Sequence, residues 1–385
     1  MAIAEALAAS KVQLLVAGLV VVGGGTAAAY VATDGFAGVG GPDAAESVPE
    51  GVDAVVYFDT AVATDQTTAT VANGLIDISK ENNEFYDGPD DYEALLNETT
   101  GETNLSADGL NQVVFYGQYP NRTDDSSVAG ELSESGYFGL VVDSEWGEDE
   151  FVDEFSDTEF ETREYEGYTV YVEQQDDQSD VPEYLRDDSP PLWVGVLADG
   201  RYVLGTENAT RDAIDTDRGA LESFGGQLRS EYDSTRDDGY LRFAATVPSE
   251  RIPDSGMGAA EQFSAVRNVE VVAGSYYTEG EDIGMVARMT TGSESDADDL
   301  QSITDGGIAT GKQLTRADET AALLDNVTVE QDGTAVTMTF QMEASTLVDT
   351  FEAAAEARSG AFSGSASAST SGSASGSETA TEAAG

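Results

Sequence analysis

Residues 192–206 read LWVGVLADGRYVLGT. Two apolar stretches flank Asp199-Gly200, a dipeptide that two-residue type I′ turns favour, and the segment predicts a β-hairpin. Three other stretches share the design. Residues 162–173 turn at Glu166-Gly167, residues 269–277 and 283–290 form a pair around Glu279-Gly280, and residues 327–342 turn at Asp332-Gly333. Strands joined by tight turns are antiparallel, because parallel strands need a long crossover. The expected class is therefore α+β with a mainly antiparallel sheet.

Working outward, residues 53–60, 111–119, 136–143 and 240–247 read as strands. Helices are expected at 67–80, where Val71, Leu75, Ile76 and Ile78 are apolar, and at 207–215, 220–232, 258–267, 296–304, 318–325 and 344–358. A polar loop is expected between 80 and 109. Residues 145–160 carry Trp146, Phe151, Phe155 and Phe160 and read as a helix whose aromatic stripe packs in the core. A lead strand, helix, two strands, helix, hairpin and helix occur in that order twice. The body then reads as two similar units, 52–232 and 238–358, related as a diverged tandem repeat.

The ends of the chain differ from this body. Residues 12–33, VQLLVAGLVVVGGGTAAAYVAT, are free of charge. As a helix the run would rise roughly 33 Å, enough for a hydrocarbon core of about 30 Å. It reads as a transmembrane helix, with a cleaved signal segment ending near Ala27-Ala28-Ala29 as the alternative. A buried core helix is the third reading. Lys11 precedes the run and no Lys or Arg follows until Lys80, which places residues 1–11 in the cytoplasm and the rest outside. Residues 34–51 read as a linker. Residues 359–385 are almost wholly Ser, Ala, Gly, Thr and Glu and are expected to be disordered, either a plain tail or an O-glycosylated spacer.

The chain holds 74 Asp and Glu against 17 Lys and Arg, a formal charge of −57. Self-repulsion on that scale opposes a compact state unless salt screens it, and the Debye length falls from about 10 Å at 0.1 M to about 3 Å at 1 M. The balance resembles that of proteins from extremely halophilic archaea. A hydrophobic fraction of 40 %, with 16 tyrosines and 14 phenylalanines, supplies a core and argues against an acidic disordered chain. With no histidine and no cysteine, Ser-His-Asp and Cys-His mechanisms, imidazole or thiolate metal ligands and disulfides are excluded. The arginines do not cluster in sequence, so no nucleic-acid partner is expected.

The run GGIATGK at 306–312 matches G-x-x-x-x-G-K, but Gln313 stands where a phosphate loop needs Ser or Thr, and the run follows a helix rather than a strand. No nucleotide and no cofactor is expected. Acidic groups at Asp87, Asp90, Asp91 and Glu93, at Asp124-Asp125, at Asp176, Asp177 and Asp180, and at Asp296, Asp298 and Asp299 lack the spacing of an EF-hand calcium loop and read as solvated surface. No catalytic residue is assigned. Five N-x-[ST] sequons mark glycosylation candidates: Asn97, Asn104, Asn121, Asn208 and Asn326. The first three fall within 25 residues, in or just beyond the expected polar loop, whereas Asn326 opens an expected strand and is the least suited.

Residues 200–215, GRYVLGTENATRDAID, with 238–247, DGYLRFAATV, resemble a bacterial and archaeal family of membrane-anchored exterior domains with no assigned activity. The opening VPEGVDAVVYFDT at 48–60 is similar to the way that family begins after its anchor. The resemblance spans about 48–358 and implies an α+β domain outside the membrane, with no catalytic residue to carry over. The functional expectation is a non-enzymatic cell-surface protein of a halophilic archaeon, anchored by its N-terminus, whose partners are the membrane and cell-envelope proteins or glycans. An extracytoplasmic binding protein for a cation or small ligand is the alternative, and a carboxylate-dependent hydrolase stands third.

Overall fold

The computed structural model describes residues 42–83, 86–100, 105–106, 109–119, 136–155, 158–175, 190–248, 264–314 and 318–367. In chain order the elements are α1 (Pro42–Ala45), β1 (Ala54–Asp59), a 3-10 turn (Thr60–Thr64), α2 (Gln66–Asn82), α3 (Tyr92–Thr100), β2 (Leu110–Gly117), β3 (Phe138–Ser144) and α4 (Glu148–Asp153). They continue with β4 (Phe160–Tyr165), β5 (Tyr168–Glu173), β6 (Trp193–Ala198), β7 (Arg201–Gly205), α5 (Glu207–Asp217), α6 (Gly226–Asp233), β8 (Leu241–Thr246) and α7 (Ser264–Arg267). The last part holds β9 (Val269–Glu279), β10 (Asp282–Thr291), α8 (Glu294–Leu314), α9 (Asp318–Asp325), β11 (Val327–Asp332), β12 (Ala335–Glu343) and α10 (Ala344–Ser367).

Among the described residues twelve strands join one sheet in the order β11-β12-β10-β9-β8-β1-β2-β3-β7-β6-β5-β4. Every pairing is antiparallel. β1 lies inside the sheet between β2 and β8, with Val56 opposite Phe115 on one side and Phe243 on the other. That position explains its composition. AVVYFD is buried from Ala54 to Phe58, as befits a strand covered on both faces.

On one face Val55, Tyr57, Val114, Tyr116, Val141, Val203, Trp193 and Ala273 meet Ala44, Ala45 and Val48 from the α1 region, Ala209, Ala213 and Ile214 from α5, and Leu228 and Tyr232 from α6. On the other face, Val113, Val142, Tyr202 and Leu204 pack against Trp146 and Phe151 around α4. Farther along that face, Val272 and Val336 meet Ala297 and Leu300 of α8, and Ile283 and Met342 meet Val71 of α2 and Leu347 of α10.

Several sequence expectations change. The last part of the expected linker folds as α1, and Ala44, Ala45 and Val48 are fully buried. A helix, α3, stands in the expected polar loop. The expected helix at 145–160 shrinks to α4, yet its aromatics do form core, with Phe151 stacked on Tyr202 at 4.0 Å and Phe155 edge-on to Phe160 at 6.1 Å. Glycine at 225–226 shortens the expected helix 220–232 to α6. The type I′ geometry belongs to Glu166-Gly167, where φ is 52° and 91°; at Asp199-Gly200 only the glycine is left-handed, at 74°. α10 continues to Ser367, nine residues into the expected tail. The run 12–33 and residues 368–385 lie outside the described residues. Among the described residues, no helix is long and apolar enough to cross a membrane.

Candidate functional site

α8 starts where the chain needs a helix cap. Ser293 Oγ accepts the backbone N–H of Asp296 at 3.2 Å, the bond of a serine N-cap, and its hydroxyl donates to the Asp296 carboxylate. Asp296 thereby also becomes the wall of a cleft of about 360 Å³, lined by Val247, Arg267, Asn268, Val269, Glu270, Gly292 and Asp296. The Asn268 side-chain amide donates to Asp296, and Gln227 Nε2 donates to Glu270 at 3.3 Å. Gly292 leaves room for the Glu270 carboxylate, since a Cβ there would come within 2.9 Å of its Oε1.

Asn268, Glu270 and Gly292 are exposed, so the cleft is open to solvent. A guanidinium, two carboxylates and an amide are among the groups that line it. Both carboxylates already accept hydrogen bonds within the protein, Asp296 from Asn268 and Ser293 and Glu270 from Gln227. Among the described residues no group of three acidic side chains stands close enough to hold a metal ion.

A second polar concentration surrounds α5, the segment on which the family resemblance rests. Its aspartates lie on the side that meets the sheet and adjoining turns, where tyrosine hydroxyls reach them: Tyr137 donates to Asp212 at 2.8 Å, Tyr165 to Asp215 at 3.0 Å and Tyr168 to Asp217 at 3.3 Å. Arg201 pairs with Asp217 at 2.5 Å and Arg218 with Asp215 at 2.7 Å. Arg211 lies over the Trp193 ring at 4.9 Å and the Tyr165 ring at 5.1 Å. Burial, followed by the hydrogen bond to Asp212, raises the Tyr137 hydroxyl well above its ordinary range. These groups clamp a helix onto a sheet, and none is directed into the cleft at α8.

The sequence candidates scatter. Asn97 lies in the backbone of α3, and Asn104 and Asn121 fall outside the described residues. Asn208 is exposed in the first turn of α5, but Thr210, the third residue of its sequon, is fully buried. Asn326 is exposed in the turn between α9 and β11, directly before the expected strand, and Thr328 is exposed as well.

Of the acidic groups, Asp90 pairs with Lys80 at 3.8 Å, Asp91 accepts the Ala94 backbone N–H at 2.7 Å, and Asp298 accepts from Gln331 at 2.8 Å. Asp124-Asp125 and Asp176, Asp177 and Asp180 lie outside the described residues. The GGIATGK run forms the second half of α8, so the helix does not end at Gly306 as expected. Sequence reading missed the cleft because its residues come from separate segments around 247, 267–270 and 292–296. The one available signal was Ser293-x-x-Asp296 ahead of an apolar run.

No family model and no curated protein matches the chain. Among solved structures, crystal forms III, I and IV of TP0453 are similar, with TM-scores of 0.39, 0.38 and 0.38 and sequence identities of 12 %, 11 % and 11 %. Each match covers 80 % of this chain and 96 %, 96 % and 95 % of the other. At such scores the likeness extends neither to function nor to the detail of the fold.

Proposed function

We propose that this chain is a non-enzymatic, membrane-anchored cell-surface protein of a halophilic archaeon, which presents its α+β body outside the membrane to cell-envelope proteins or glycans. The observation that carries this reading is the charge distribution: a charge-free run at 12–33, preceded by Lys11 and followed by a body with a large acidic excess. The clamp at α5 supports it, because its tyrosines, arginines and aspartates serve cohesion of the body. Washed membranes prepared from the host at molar salt should retain the full-length protein. Its recovery in the supernatant, with a mature N-terminus near Tyr30 by mass spectrometry, would replace the anchored form by a secreted one.

We also infer that the body is built from two related units. The order β8-β9-β10-β12-β11 repeats β1-β2-β3-β7-β6 strand for strand, and the hairpin β5-β4 extends the first series. The two series share one sheet through the β1-β8 pairing. An experimental structure in which β1-β2-β3-β7-β6 does not superpose on β8-β9-β10-β12-β11 would count against the repeat.

A second reading, an extracytoplasmic binding protein for a cation or small ligand, draws on the open cleft at α8. Calorimetry with calcium and with a small organic amine at molar salt tests it. Absence of heat with both removes it.

A further inference from the structure

We propose that Asn326 is a glycan acceptor of this body and that its sugar closes the β11 edge of the sheet to other strands. The inference rests on the exterior placement proposed above. A sequon is modified as an accessible surface segment, with both the asparagine amide and the hydroxyl two residues on within reach. Asn326-Val327-Thr328 meets both conditions, with Asn326 and Thr328 exposed and the segment lying in a turn that opens into an edge strand. Asn208 fails the second condition, because the Thr210 side chain is fully buried and directed at the Trp193 carbonyl, 3.5 Å away.

The chemistry balances with a polyprenyl-phosphate-linked oligosaccharide as donor. The Asn326 side-chain nitrogen forms a bond to the anomeric carbon, the bond from that carbon to the phosphate oxygen breaks, and the lipid phosphate leaves while the amide gives up one proton. The amide keeps its second hydrogen. Its present hydrogen bond to the Ala322 carbonyl, 2.8 Å, can therefore survive modification.

The placement gives the sugar a task. Among the described residues β11 is one end of the twelve-stranded sheet, and an edge strand offers its outward backbone groups to another strand. Its sequence VTVEQD is rich in β-branched residues and lacks proline and lysine. Its exposed charges are Glu330 and Asp332. Repulsion between such carboxylates on two copies fades at the salt the composition calls for, where the Debye length is about 3 Å. A neutral, bulky glycan at the head of the strand obstructs pairing at any ionic strength.

Peptide mapping by mass spectrometry of protein purified from its host tests the acceptor. The peptide containing Asn326 should carry a carbohydrate mass, and an unmodified Asn326 overturns the proposal. The shielding role is tested with Asn326→Gln and Thr328→Ala, both produced in the host and sedimented at molar salt. Each should shift from one copy to two or more, while Asn208→Gln sediments as the unaltered protein. If both sequon variants sediment unchanged, the shielding role is wrong. Recovery of the unaltered protein from the cytoplasm defeats the exterior placement, a failure distinguishable from a bare Asn326 on a membrane-bound protein.

Discussion

Arg242 shows how this chain uses a scarce cation. It is 2 % exposed, packs against the rings of Tyr57 and Tyr232 at 5.6 and 4.5 Å, and donates to Thr235 Oγ1 at 2.9 Å and the Tyr232 carbonyl at 3.2 Å. Removing it as Arg242→Ala opens a cavity beside both rings and forfeits these two hydrogen bonds, and should cost about 2 to 3 kcal/mol in chemical denaturation at molar salt, while the Tyr232 carbonyl keeps its bonds from the Thr235 N–H and hydroxyl. Arg242→Met fills the space and should cost less. Two buried tyrosines, Tyr57 beside Arg242 and Tyr92 against the Val62 carbonyl, set an alkaline limit. Burial is the main cause that pushes Tyr57 and Tyr92 up to about 12. An unfolded tyrosine releases its proton near pH 10, so the stability these two contribute is whole below pH 10 and is lost as the pH rises to about 12. The loss should approach about 2 to 3 kcal/mol for each. Thermal melts between these pH values, followed alongside tyrosinate absorbance, check the sign; a melting temperature that holds constant refutes it. None of this was legible in the sequence, since Tyr57, Tyr232 and Arg242 meet only across β1, α6 and β8.

At the scale of elements, hairpins read well because their signal is local. All four Xaa-Gly turns close hairpins, between β4 and β5, β6 and β7, β9 and β10, and β11 and β12. Helix ends read poorly. The sequence reading ended a helix near Gly306, yet α8 runs through Gly306 and Gly307 because Leu300 and Ala297 hold its first half on the sheet and the turns continue beyond. A Cβ at either glycine meets nothing within 4 Å. Gly306→Ala and Gly307→Ala should each stabilise the protein by about 0.5 to 1 kcal/mol, read as a rise in Tm. A fall would mean that the helix is interrupted there. α1 shows the opposite error: PDAA reads as linker by composition, but Pro49 bridges Ser223 and the Glu50 backbone N–H donates to the Glu222 carbonyl at 3.0 Å, which draws the segment into the core. Only the tertiary contact decides such a case. The cleft at α8 has the same origin.

For the whole molecule, the acidic excess sets the solvent in which the fold exists. The Tm should rise steadily as potassium chloride increases from about 0.1 M to beyond about 1 M, where the Debye length shrinks below the spacing of most surface charges. An equal Tm at both ends of that range would contradict the reading of the composition. One consequence of the sheet's width remains. Neighbouring strands turn by roughly 20 to 25° relative to each other, so the eleven steps from β11 to β4 accumulate to somewhere about 220 to 275°, over half a revolution. Among the described residues the strand direction at β4 therefore differs from that at β11, and a flat surface such as a membrane or an envelope layer that runs along one outermost strand does not run along the other. Whatever meets β4, with its Arg163 and Glu161, approaches from a direction that β11 does not share.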